Sequence, residues 1–261
     1  MNRSLLIITL LCSQLLCITV GATEPKTIKF AVNSPGSFPY LYFNETTQTY
    51  SGLVVDFFKH LENKGLLVAQ FVDSNQTRSE QFVIDGKVDL ILANPKWLEQ
   101  PAKTISSKPI ISHQTYLYSL KPFAADFAIA RLTNKRICTH QSFIYTGLTT
   151  YFSSGMIKRV DASSHHAMLT MLEKQRCDYA VMNNYNAIQA FSTATFCHLI
   201  LYQSPQPSSE VDLHFVMNAN LHALKILIDQ QLDNFRDTGE MLKSLQSHAS
   251  EPVFPLSYAC P

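Results

Sequence analysis

Two stretches of the chain repeat one order of apolar and polar positions. In Ile84-Asp85-Gly86-Lys87-Val88-Asp89-Leu90-Ile91-Leu92-Ala93-Asn94-Pro95 and in Glu173-Lys174-Gln175-Arg176-Cys177-Asp178-Tyr179-Ala180-Val181-Met182-Asn183-Asn184, a helix end passes into a basic turn, an Asp, a short apolar run and then polar residues. An unbroken apolar strand after a helix suits a parallel sheet, because crossover helices cover both of its faces. In open α/β sheets, ligands bind just past the carboxyl ends of the strands. Asn94-Pro95-Lys96-Trp97 and Asn183-Asn184-Tyr185 fall at those ends. The pattern predicts two similar α/β lobes with a ligand held in the cleft between them.

The remaining periodicities fill in the units. Ile28–Val32 alternates as a first strand, followed by the turn-rich stretch 33–37 and the aromatic run Phe38 to Phe43. Leu53, Val54, Phe57, Phe58 and Leu61 form one apolar stripe of a helix that Gly65 stops. Leu66–Val72 and Val88–Ala93 read as strands, with a short helix over Ser79–Ile84. The extended stretch from Ser107 to Leu120 suits a first crossing between lobes. The unit then restarts with strands at 135–139, 156–160 and 179–182, helices at 163–174 and 186–193, and a last strand from Cys197 to Tyr202. Leu213–Met217 would cross back, Ala223–Leu245 is one long amphipathic helical region, and a proline-rich tail follows.

The N-terminus reads as a secretory signal: Arg3, an apolar run from Leu5 to Val20, and Val20-Gly21-Ala22 for cleavage after Ala22. The apolar run falls short of the roughly 20 residues that span a bilayer. An exported protein without a membrane-embedded segment is expected. The assignment is 1–22 signal peptide, 23–118 plus about 213–248 the first lobe, 119–212 the second, and 249–261 a tail returning toward the second. The composition, 46% hydrophobic and 16% charged with a formal net charge of +1, lacks the field that steers nucleic acid or anionic membrane. Four of the six cysteines lie beyond the signal: Cys138, Cys177, Cys197 and Cys260. An even number in an exported chain favours two disulfides. No cysteine spacing fits a zinc site, and the adjacent pair His165-His166 reads as a helix start, so no metal or cofactor is expected.

Taken together, the order of elements resembles the type II periplasmic solute-binding proteins, in particular the class associated with polar amino acids, whose fold glutamate-receptor ligand-binding cores share. The resemblance rests on Gly52-x-x-Val55-Asp56-Phe57, Asp85-Gly86-Lys87-Val88-Asp89, Ser107-Lys108-Pro109 and Arg176-x-Asp178-Tyr179-Ala180, and covers nearly all of the chain beyond the signal. It implies an α/β fold of two lobes joined by a double-crossing hinge. The implied protein acts as a monomer, captures a small solute and presents it to an ABC-transporter permease.

The departures from the family pattern matter as much. Where amino-acid binders place an Arg against the ligand carboxylate, this chain has Gln100. The small hydroxyl residue expected before it is Trp97, and the Asp that meets the ligand ammonium is Asn183. A neutral amide cannot replace the charged fork that suits Arg to carboxylates, so common α-amino acids are expected to bind poorly. Lys96 or Arg131 could supply a cation from elsewhere. The candidate ligand-binding residues are Phe38, Tyr40, Asn94, Lys96, Trp97, Gln100, His140, Gln141, Ser142, Asn183, Asn184 and Tyr185. Phe38 and Tyr40 offer stacking or core packing, and His140-Gln141-Ser142 offers backbone N–H groups or simple capping. A periplasmic sensor or partner-binding module is the alternative. A lyase resembling the cyclohexadienyl dehydratases is a third class, although the strand ends carry no carboxylate pair for acid–base work. In the glutamate-receptor cores a disulfide joins a strand start of the second lobe to the C-terminal tail. The resemblance therefore implies Cys197–Cys260, which leaves Cys138, in the second lobe's first strand, with Cys177, just before a neighbouring parallel strand.

Overall fold

A computed structural model describes residues 25–33, 36–141, 143–250 and 253–260; the signal segment 1–22 and the candidate Ser142 lie outside them. The chain opens with β1 (Lys26–Asn33), the small antiparallel set β2 (Gly36–Ser37), β3 (Leu41–Asn44) and β4 (Thr49–Ser51), then α1 (Leu53–Asn63), β5 (Leu67–Ser74), α2 (Gln76–Ile84), β6 (Leu90–Ala93) and β7 (Thr104–Ser106). The long strand β8 (Ile111–Ser119) leads to β9 (Arg136–His140), α3 (Thr149–Ser153), β10 (Lys158–Ala162), α4 (His165–Glu173), β11 (Tyr179–Asn183), α5 (Asn184–Phe191) and β12 (Tyr202–Gln203). Strand β13 (Ser209–Asn218) returns, and α6 (His222–Asp237) and α7 (Glu240–His248) follow.

The sheet order, β10-β9-β11-β8-β13-β6-β1-β5, makes the sequence repeat visible. In one lobe β5, β1 and β6 are parallel and β13 closes the set antiparallel. In the other, β10, β9 and β11 are parallel and β8 closes the set in the same way. The repeated Asp has one task in both copies. Asp89 accepts a hydrogen bond from the Lys29 backbone N at 2.7 Å, and its own N–H donates to the Lys29 carbonyl. Asp178 does the same to Arg136, at 2.8 Å. Each clamp sits one residue before the parallel register begins, at Phe30–Leu90 and Ile137–Tyr179. A turn residue thereby fixes the pairing of a buried strand, where a slip would turn every side chain to the wrong face.

The first lobe packs around Phe30, Phe57, Phe58 and Phe215, all buried. The helix that supplies two of them starts at Gly52, with φ at 117°, where an added Cβ would come within 2.6 Å of the carbonyl oxygens of Pro39 and Tyr40. Only glycine accepts both the dihedral and the close approach, so the aromatic hairpin abuts the helix start. Asp56 of α1 accepts from Ser244 at 2.7 Å and from His248 at 2.8 Å, docking α7 on the same lobe. The second lobe has a core on each face of its sheet, around Met168, Phe191 and Phe196 on one side and Leu117, Ile137 and Val181 on the other.

Three expectations change. The long helical region is two helices, because Gly239 adopts the left-handed conformation (φ 74°) that ends α6. The stretch from Cys197 to Tyr202 is not one strand: Cys197 caps a short 3-10 turn (Ala194–Phe196), Leu201 forms a backbone bridge to Leu256 of the tail, and only Tyr202–Gln203 joins the sheet. The return strand begins at Ser209, ahead of the expected Leu213, because it pairs with β8 over Ser209–Leu213 before it reaches β6. The tail does reach the second lobe. Phe254, Leu256 and Tyr258 pack on its core, and Cys197–Cys260 and Cys138–Cys177 are both bonded. The chain therefore passes between the lobes at β8, at β13 and again after α7.

Candidate functional site

A cleft with a cavity volume of about 200 Å³ lies between the lobes at the carboxyl ends of the strands. Its floor is the ladder through which the chain crosses, with His113 and Thr115 from β8 and Ser209 and Leu213 from β13. One wall comes from the ends of β1 and β6, from Ser79 and Glu80 of α2, and from Trp97 in the 3-10 turn Pro95–Trp97. The opposite wall comes from Phe143, Ile144 and Tyr145, from His165 at the start of α4, and from Met182, Asn183 and Asn186.

Of the sequence-derived candidates, Trp97 and Asn183 line the cleft. Asn94, the counterpart of Asn183 in the repeat, is buried and braces the frame: its amide donates to the Asp212 carbonyl at 2.6 Å and its Oδ1 accepts from the Lys96 N–H. Phe38 and Tyr40 stand beside the cleft. Both rings approach Tyr185 of the other lobe, at 6.3 and 6.1 Å between centroids, and Tyr40 also approaches His113 at 5.8 Å. These edge-on contacts join the first-lobe hairpin to the start of α5. Burial, with Tyr185 nearby, raises the Tyr40 pKa, so its hydroxyl stays protonated.

The other candidates sit outside the lining. Lys96 is exposed, Arg131 pairs with Asp126 on the surface, and the Gln100 backbone N–H is held by Glu80 at 2.6 Å. His140 lies behind the second wall, its ring 4.2 Å from that of Phe143 and 5.2 Å from that of His165, and its Nδ1 is 2.9 Å from the Gln141 carbonyl. Asn184 opens α5 and accepts from the Tyr185 N–H.

Sequence reasoning missed His113, Thr115, Glu80 and His165. The last is visible as a helix start, but its turn toward the cleft is not. Glu80 receives the backbone N–H groups of Glu99 and Gln100, at 2.9 and 2.6 Å, and so holds the loop that follows Trp97. Thr115 is bonded to Ser208 and Ser209, each at 3.0 Å. Among the described residues, no Lys or Arg lines the cleft, and no group of three or more His, Cys, Asp and Glu side chains is placed to hold a metal ion.

Three residues of the lining each carry a buried polar atom without a hydrogen-bond partner among the described residues: Trp97 Nε1, His113 Nδ1 and Asn183 Nδ2. Such atoms are uncommon in folded proteins. Burial pushes His113 down to about 4, and burial together with His140 does the same to His165. Both rings are neutral at pH 7. The unfolded chain takes up these protons as pH falls through about 6.5, whereas the folded chain resists until about 4. Their contribution to stability is therefore full above about pH 6.5 and is lost on acidification toward 4. Unfolding midpoints measured across that window should fall for the native chain and fall less steeply for His113→Gln.

No family profile and no characterised protein sequence matches the chain. Solved structures do match its fold. A histidine kinase sensor domain with similarity to periplasmic binding proteins superposes with a TM-score of 0.71 at 17% identity, over 88% of this chain and 99% of that one. The probable amino-acid ABC transporter extracellular-binding protein YtmK from Bacillus subtilis gives 0.71 at 16%, over 86% and 98%. The GluR0 ligand-binding core in complex with L-glutamate gives 0.70 at 15%, over 87% and 100%. The chain has the two-lobe fold of the type II periplasmic binding proteins.

Proposed function

We propose that the chain is an extracytoplasmic solute-binding protein that captures a small polar or aromatic solute between its lobes and delivers it to an ABC importer. The observation that carries the reading is the cleft. Its floor is the crossing ladder and its two walls belong to different lobes, so a solute touching both walls favours the arrangement in which they face each other. The signal-like N-terminus and two disulfides support export to an oxidising compartment. No helix of the described residues is long and apolar enough to cross a membrane. Binding is favoured over catalysis because, of the two acids at the cleft, Glu80 is spent on two backbone N–H groups and Glu99 is exposed. A sensor is the second reading, supported by the likeness to a histidine kinase sensor domain. Loss of solute uptake on deleting the chain would support the importer, and loss of a transcriptional response with uptake intact would support the sensor.

Trp97 makes the test direct, because it is the chain's single tryptophan. A solute held in the cleft should change its emission saturably. It should also stabilise the folded state, by about 2.7 kcal/mol at a hundredfold excess over Kd. A solute that raises Tm while leaving Trp97 emission unaltered would bind elsewhere and overturn the assignment.

A further inference from the structure

We propose that the cleft is built for an uncharged, single-ring solute carrying two hydrogen-bond acceptors, such as a carbonyl oxygen and a ring nitrogen. The inference rests on the solute-binding reading above and names the chemistry of that site.

The orientation of Asn183 carries most of the argument. Its Oδ1 accepts from the Asn186 backbone N–H at 2.6 Å, capping α5. A carbonyl oxygen must face that N–H, so the opposite, donating end of the amide has only one way to point. Nδ2 is the end left without a partner, on a side chain only 2% exposed. The repeat supplies an internal control: Asn94 ends the matching strand, and its amide is spent on the Asp212 carbonyl. Both asparagines cap the turn that follows their strand. Only the second keeps its donor, and it is the second that lines the cleft.

Trp97 repeats the case from the facing wall, since an indole N–H donates and cannot accept. His113 on the floor adds a third atom, its ring set between those of Tyr40 and Trp97 at 5.8 and 6.1 Å. Two certain donors on opposite walls call for two acceptors on one solute. An ammonium or guanidinium group cannot answer them, because it too presents only donors. An anion would be buried without a compensating charge, for no Lys or Arg lines the cleft among the described residues and Glu80 and Glu99 do. The remaining lining includes Val32, Leu92, Ile144, Met182 and Leu213, which suits an apolar ring body. A volume of about 200 Å³ lies below the range of drug-sized sites.

The test uses the chain without residues 1–22 and four probes: nicotinamide and uracil, which are uncharged rings with two acceptors, and nicotinate and arginine, which are charged. Calorimetry and Trp97 emission should show saturable binding of at least one neutral probe, about tenfold or more tighter than either charged one. Asn183→Asp keeps the capping oxygen and removes the donor, and should weaken the neutral probe about tenfold; the buried carboxylate lowers the unfolding midpoint, so affinity is read at a temperature where the variant is folded. Trp97→Phe, read by calorimetry, should weaken it similarly. Preferred binding of arginine or nicotinate overturns the ligand class while solute capture stands. A neutral probe indifferent to both substitutions overturns the assigned donors. Silence of all four probes overturns the ligand class, and the solute-binding reading falls with it if a broad solute screen is also silent.

Discussion

Phe215→Ala is expected to lower the free energy of unfolding by about 3–5 kcal/mol, the range for deleting a large aromatic side chain from a packed core. Phe215 is fully buried on β13 and meets the rings of Phe30, Phe57 and Phe58 at 5.7, 5.5 and 5.3 Å between centroids. One ring thus ties the central strand of the first lobe to α1 and to the strand that crosses between lobes. The walls of the resulting cavity belong to a sheet and a helix, neither of which can collapse inward freely. Phe215→Leu refills most of the space and should cost less than half as much. Denaturant midpoints of the two variants provide the check. Equal losses would show that ring shape, not volume, is what the core requires.

Removing the tail disulfide should have an effect of similar size. The Cys197–Cys260 bond spans 63 residues, and closing such a loop in the unfolded chain corresponds to about 4 kcal/mol in the chain-entropy account. The double variant Cys197→Ser with Cys260→Ser leaves no odd thiol to exchange. Neither cysteine lines the cleft. The remaining tail contacts include the Leu201–Leu256 backbone pair at 2.9 Å, the Tyr118–Phe254 and Phe191–Tyr258 ring contacts at 5.3 and 5.7 Å and the Ser192–Tyr258 hydrogen bond at 2.7 Å. The expected result is a large drop in midpoint with solute affinity retained. A drop in affinity of the same proportion would show that the tail positions the lobes and does more than secure them.

What could be read from the sequence, and what could not, follows the range of the interactions involved. The repeated Asp was plain in the pattern, but its work on Lys29 and Arg136 depends on a strand 60 and 42 residues away. Asn94 and Asn183 are indistinguishable by position. They part company because the carbonyl of Asp212, 118 residues on, reaches the first. His113 and Thr115 were invisible as site residues, since the floor exists only once Ile111–Thr115 pairs with Ser209–Leu213. Phe38 and Tyr40 fall in an aromatic run after the first strand, and which side of that run meets the other lobe is set by α5. Gly239 is a local signal: the glycine stop that ends the first helix at Gly65 recurs there, but the apolar periodicity running on into α7 masks it.

The placement of the cysteines also sets an order of assembly. Cys138 and Cys177 are 39 residues apart and belong to one lobe, so their bond can close as soon as that lobe has been made. Cys197 belongs to the same lobe, but its partner follows the return strand and both helices of the first lobe. A chain emerging from its N-terminus would therefore hold Cys197 as an open thiol through the whole completion of the other lobe, beside two cysteines with which it could bond wrongly. The early Cys138–Cys177 bond removes both wrong partners before the right one arrives.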